Sequence, residues 1–141
     1  PENEIKKFCQ FNVDALCAKP SSSHEIIASL WRRGLVKQVL TDNLDHLLTK
    51  VNVPFTQTRL SIFPDRFQVK FNPEIKSLLV IGIAVDRRQV IRQARRQGLK
   101  IIAINPIMQV APESRNIDYL HPGDILFKAK AKEILPKCKF Y

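Results

Sequence analysis

The sequence predicts an α/β domain with helices packed over a parallel sheet, and three observations carry that prediction. The run from Leu78 to Val85 is apolar on both alternate faces, interrupted by Gly82, as in a strand buried between two layers. A second apolar run, Lys100 to Asn105, follows a helix-length segment at 86–97, and a crossover of that length joins neighbouring parallel strands right-handedly. Along the rest of the chain, segments of helical period alternate with short apolar runs, the pattern of α/β proteins.

From the N-terminus, Ile5, Cys9, Val13 and Leu16 fall at helical spacing, Phe8 and Phe11 widen that face, and Lys19-Pro20 ends the helix. Ser22-Ser-His-Glu25 has the pattern of a capping box, and Ile26, Ile27, Leu30 and Trp31 give the next helix its buried face up to the stop at Gly34. A short strand at 36–40 ends at Thr41-Asp42-Asn43, and 44–50 read as one or two helical turns with Leu44, Leu47 and Leu48 inward. Residues 51–75 leave two strands open, Val51–Phe55 and Arg66–Phe71, around a loop at Pro64-Asp65. Asp86 is placed to cap helix 86–97 and Gly98 to end it. Asp118-Tyr-Leu120 reads as a last strand, His121–Asp124 as a turn, and 124–135 as a closing helix capped by Asp124. No repeat or linker divides the 141 residues, which suit one domain.

Apolar residues make up 45% and charged residues 26%, values of a globular chain. No run reaches the ~18–20 apolar residues that a membrane helix needs, so no membrane partner is expected. Cys9, Cys17 and Cys138 form no C-x-x-C pair, which argues against a cysteine-type zinc site and for a reduced, cytoplasmic protein; Cys9 and Cys17 read as small core residues. The net charge of +10 attracts phosphates or acidic partners. Arg88, Arg92 and Arg95 share one face of the 86–97 helix, and Lys128, Lys130, Lys132, Lys137 and Lys139 form a second basic group. These faces suit simple solvation or an acidic protein or nucleic acid, without the interleaved aromatics of a single-strand platform.

In open parallel sheets, ligands bind beyond the carboxyl ends of the strands. Asn43 and Asp45 lie beyond one such end, where an amide and a carboxylate can bond a ribose or carboxamide, or can equally form a turn and a helix cap. Gly82 leaves backbone open to close approach, and Asn105 stands at the next strand end. His24 reads as a structural residue near a helix start.

Several blocks in one register resemble the sirtuins, the NAD-dependent protein deacylases. Pro20-Ser-Ser-Ser-His24 with Leu30 and Gly34 is similar to their Pro-Asn-x-x-His helix and the turn that follows. Thr41-Asp-Asn-Leu-Asp45 resembles Thr-Gln-Asn-Ile-Asp; Val80-Ile-Gly-Ile-Ala-Val85 resembles apolar-Gly-Thr-Ser-Leu; Ile104-Asn105 and Gly123-Asp124 match the later Ile-Asn and Gly-Asp. The resemblance spans roughly residues 20–136. It implies a Rossmann-like three-layer fold of the sirtuin and deoxyhypusine-synthase kind, with NAD as cofactor. The implied cofactor residues are Thr41, Asn43, Asp45, Gly82, Ile83, Ala84 and Asn105.

The departures are as specific as the matches. The stretch Pro54–Leu60, where the family carries its general-base histidine, has none, and His46 follows Asp45 too closely to take that part. The zinc cysteine pairs, the peptide-binding Phe-Gly-Glu and the Gly-Ala-Gly phosphate loop are not found, although Val69-Lys-Phe71 can occupy the peptide strand; Asp42 replaces Gln, and Ile83-Ala84 replace Thr-Ser. The expectation is therefore a sirtuin-like module for a nucleotide or partner, degenerate or truncated at its opening strand and phosphate loop, without deacylase activity, zinc or catalytic residues of its own. Two other readings stay open: an NAD-consuming enzyme whose N-terminal part lies outside this chain, and a basic interaction module. An absent opening strand would also leave sheet edges that a second copy can fill, giving a homo-oligomer.

Overall fold

A computed structural model describes residues 2–58, 67–83, 85–106 and 120–139. The chain divides into two compact units, Pro1–Arg59 and Leu60–Tyr141.

The first unit opens with α1 (Glu2–Cys17) and α2 (Ser22–Arg32). The α2 cap sits one residue earlier than the sequence pattern placed it. Ser21 is the N-cap, its backbone N–H donates to His24 Nδ1 at 3.1 Å, and its hydroxyl lies 2.8 Å from the same nitrogen. His24 therefore serves a helix start. Gly34, at φ +69°, closes α2: its N–H donates to the Trp31 carbonyl and that of Leu35 to the Leu30 carbonyl, satisfying two helix-end acceptors.

After β1 (Leu40–Thr41) and α3 (Leu47–Lys50), Asn52 repeats the same closure at φ +57°. β2 (Thr56–Gln57) then pairs parallel with β1. Ala28, Leu48, Val51 and Val53 form the core of this unit, with Ile27, Trp31, Val39 and Phe55 against it.

Two expectations change here. Cys9 and Cys17 are exposed, as are Ile5 and Val13 of the same face. Helical spacing identifies an apolar stripe but not whether anything covers it. The strand expected at 36–40 also shifts to Leu40-Thr41, the two residues in register with Thr56-Gln57.

The second unit holds a three-stranded parallel sheet in the order β3 (Ser77–Ile81), β4 (Lys100–Ile104), β5 (Ile125–Phe127). β3 and β4 pair over five residues, Ser77 opposite Lys100 through Ile81 opposite Ile104, as the continuous apolar runs predict. Between β3 and β4 runs α4 (Val90–Arg96), whose buried Ile91 and Ala94 face inward.

The helix is shorter than 86–97 because Gln89, at φ +54°, breaks the path before it. Asp86 still caps it from a distance, Oδ2 accepting the Arg92 N–H at 3.0 Å. Gly98 ends it with the closure seen at Gly34. Val80, Ile91, Ala94, Ile101, Ala103, Ile104 and Leu135 are buried.

The closing helix predicted for 124–135 is instead β5 followed by α5 (Ala131–Ile134) and a 3-10 turn (Leu135–Lys137). Ile125-Leu-Phe127 gains a ladder beside β4, which outweighs the helical period of an isolated segment. The strand predicted around Asp118 lies outside the described residues apart from Leu120, which belongs to no strand.

Candidate functional site

In the first unit, the residues beyond β1 are held by local bonds. Thr41 Oγ1 accepts the Asn43 N–H at 3.0 Å, and the Asn43 carbonyl accepts from Gln57 Nε2 at 2.6 Å. The Asn43 residue itself is exposed. Asp45 Oδ1 accepts the Leu47 N–H at 3.1 Å, so this carboxylate caps α3. Asp42 meets the Thr58 hydroxyl, and buried Thr58 sends its N–H to the Thr41 carbonyl at 2.9 Å. Of the three residues proposed from sequence, Asn43 is exposed, while Thr41 and Asp45 already serve the turn.

In the second unit the strand ends converge. Gly82 follows β3 at φ +67°, is exposed, and has open space within 4 Å of where a Cβ would stand. A side chain here would meet backbone strain rather than a neighbour, so the position leaves a bare, accessible backbone. Its N–H is committed to the Ile104 carbonyl at 3.0 Å. Asn105, 3% exposed, ties the sheet ends together: Nδ2 donates to the Ile83 carbonyl at 3.0 Å, and its backbone N–H donates to the Phe127 carbonyl at 3.0 Å. Gly82, Ile83 and Asn105 are thereby brought side by side, with exposed Pro106 beyond them. Ala84 lies outside the described residues.

The arginine face is not uniform. Arg95 forms a two-pronged ion pair with Asp124, at 2.6 and 3.1 Å. This bond, with the opposite charge of each partner, holds the Asp124 carboxyl below its ordinary range and the Arg95 guanidinium above its own, against an opposing effect of burial on each. Asp124 also accepts the His121 N–H at 2.8 Å, fixing the turn into β5. Arg92 is exposed.

Asp124, expected to cap a helix, lies instead in the turn before β5. Phe127 pairs with Ile104, so Lys128, exposed, directly follows β5 beside Asn105. The short apolar triplet Ile125–Phe127 after a Pro-Gly turn was the available signal. Among the described residues, no group of three or more metal-ligating side chains gathers, and no helix is long and apolar enough to cross a membrane.

This architecture recurs in solved structures. A sirtuin from work on the structural basis of substrate affinity superposes with a TM-score of 0.63 at 13% identity, covering 96% of this chain and 79% of that one. The chain has a sirtuin-like fold. A Sir2 with a p53 peptide and NAD+ gives a TM-score of 0.62 at 14% identity over 96% and 77% of the two chains, and a Sir2 bound to acetylated peptide gives 0.62 at 13% over 96% and 78%. No family model and no curated protein matches the sequence. The likeness lies in the α/β, Rossmann-like path of the chain, with its parallel strands.

Proposed function

We propose that this chain is a sirtuin-like module that binds an NAD-type nucleotide at the carboxyl ends of β3 and β4 and has no deacylase activity of its own. The observation that carries the reading is the pair of adjacent strand ends, bare Gly82 beside buried Asn105, at the edge where parallel sheets take ligands. The Sir2 structure with NAD+ shares the fold and supports the choice of nucleotide.

The residues present fit such a group in a specific way. The open backbone at Gly82 would accept a sugar or base edge at contact distance, while Asn105 would hold the two strands at the right spacing. The Gly82 N–H, spent on Ile104, is not free for a phosphate. NAD, when bound, supplies a leaving nicotinamide to deacylation; using it requires a base. The histidine of the second unit, His121, lies at the amino end of β5, the opposite end from Gly82 and Asn105. That placement supports binding without turnover.

Isothermal titration with NAD+ tests the proposal. We expect saturable binding that is lost in Gly82→Val and weakened in Pro106→Glu, which puts a carboxylate at an exposed position without touching the αL backbone. Both variants are checked for folding by circular dichroism. Absence of binding by the parent chain, or unchanged binding in both folded variants, overturns it. With an acetyl-lysine peptide added, nicotinamide release above background overturns the second half.

A second reading, a basic surface for nucleic acid or an acidic protein, is favoured by the stretch Arg87–Pro112, which contains no Asp or Glu but six cations, Arg87, Arg88, Arg92, Arg95, Arg96 and Lys100. Because Asp124 engages Arg95, Arg92 is the position to reverse: salt-dependent RNA or DNA binding that falls in Arg92→Glu, with NAD+ binding absent, would select this reading over the first.

A further inference from the structure

We infer that the nucleotide this edge prefers carries an additional phosphate on its ribose, and that Lys128 is the residue that reads it. The inference rests on the nucleotide-binding proposal and adds to it the ligand's chemical class. In doubly wound sheets, the end of the second strand of a strand–helix–strand unit decides between the two sugars. An acid there bonds the free ribose hydroxyl, whereas a cation nearby accommodates a ribose phosphate.

Here that unit is β3–α4–β4, and β4 ends in Asn105-Pro106, with no acid anywhere from Arg87 to Pro112. Nor does Asn105 substitute freely for the acid, since it is buried and its Nδ2 is bonded to the Ile83 carbonyl. What the structure supplies instead is a cation on the adjoining strand. The Asn105 N–H donates to the Phe127 carbonyl at 3.0 Å, so Lys128 begins about 4.8 Å away, one strand spacing. It is exposed, and its flexible four-carbon stem carries a compact charge.

Two carboxylates near these elements are committed elsewhere. Asp86 accepts the Arg92 N–H and Glu133 accepts the Lys130 N–H at 3.4 Å, each on its own helix start. Lys130, two residues beyond Lys128, adds further positive charge after β5.

Parallel titrations of the full chain with NAD+ and NADP+ test this. We expect NADP+ to bind at least fivefold more tightly than NAD+, the gap to close in Lys128→Ala, to invert in Lys128→Glu, and to persist in Lys132→Ala, an exposed cation within α5. Equal or tighter binding of NAD+ overturns this inference and leaves the nucleotide-binding proposal standing. A gap that survives Lys128→Glu, or that closes equally in Lys132→Ala, overturns the assignment to Lys128. Binding of neither nucleotide overturns both.

Discussion

The two units reach order by different routes. In residues 60–141, β3 and β4 pair over five residues across buried Ile101, Ala103 and Ile104. In residues 1–59, β1 and β2 pair over two, and helix caps and closures at Ser21, Gly34 and Asn52 carry much of the local order. Where burial fixes register, a polar residue at a strand end is placed by the sheet itself. Asn105 is held by its neighbours before any ligand arrives. Where register spans two residues, the turn must hold itself. Thr41 and Asp45 spend their oxygens on the backbone, and Asn43 is left at the surface.

The contrast is broken or sharpened by substitution, most strongly in the sheet. Ile101→Ala removes a fully buried side chain and is expected to cost about 2–5 kcal/mol by chemical denaturation. Val39→Ala, at a half-buried position of the first unit, should cost about 1 kcal/mol, and equal losses would erase the distinction. Next come the helix closures. Gly98→Ala and Gly34→Ala force a side chain into left-handed backbone at φ +75° and +69°, for about 1–2 kcal/mol each. The open space around both positions predicts that the loss is strain alone, so Ala and Ser variants should melt alike. Ser21→Ala, which removes the α2 cap, should cost about 1 kcal/mol and lower helicity by circular dichroism.

The smallest effect belongs to the ion pair. Asp124→Asn should cost at most about 1 kcal/mol at neutral pH, because Arg95 remains partly solvated. Its pH dependence carries a definite sign. The folded Asp124 carboxyl sits below its unfolded value, so its stabilisation is fully present above the ordinary carboxylate range near about 3.9 and is lost as pH falls through the folded value. The difference between the parent chain and Asp124→Asn should therefore shrink on acidification below about pH 4; a difference constant down to pH 2 would show that the pair contributes no charge-dependent stability.

The same contrast explains what was legible in the sequence. The continuous run Leu78–Val85 and the segment Lys100–Asn105 gave the parallel pair, because burial on both faces leaves its mark in composition. The stop signals at Gly34 and Gly98 were equally plain. The sequence misled where tertiary context decides. Ile125–Phe127 has no alternation to distinguish strand from helix until β4 offers it a ladder. The Ile5–Cys9–Val13 stripe predicted burial that the exposed face does not have. For the candidate site, Gly82 and Asn105 were found from strand-end logic, whereas Lys128 required the β5 register. The Arg95–Asp124 pair joins residues 29 apart and leaves no local pattern.

The central claim is that the carboxyl edge of β3 and β4 takes a nucleotide. Amide chemical-shift mapping during titration with NAD+ tests it most directly. The account predicts that the Gly82, Ile83 and Asn105 amides move together and saturably, while those of His121 and Asp124, at the amino end of β5, stay in place. Shifts confined to His121–Asp124, or none up to millimolar nucleotide, would contradict it.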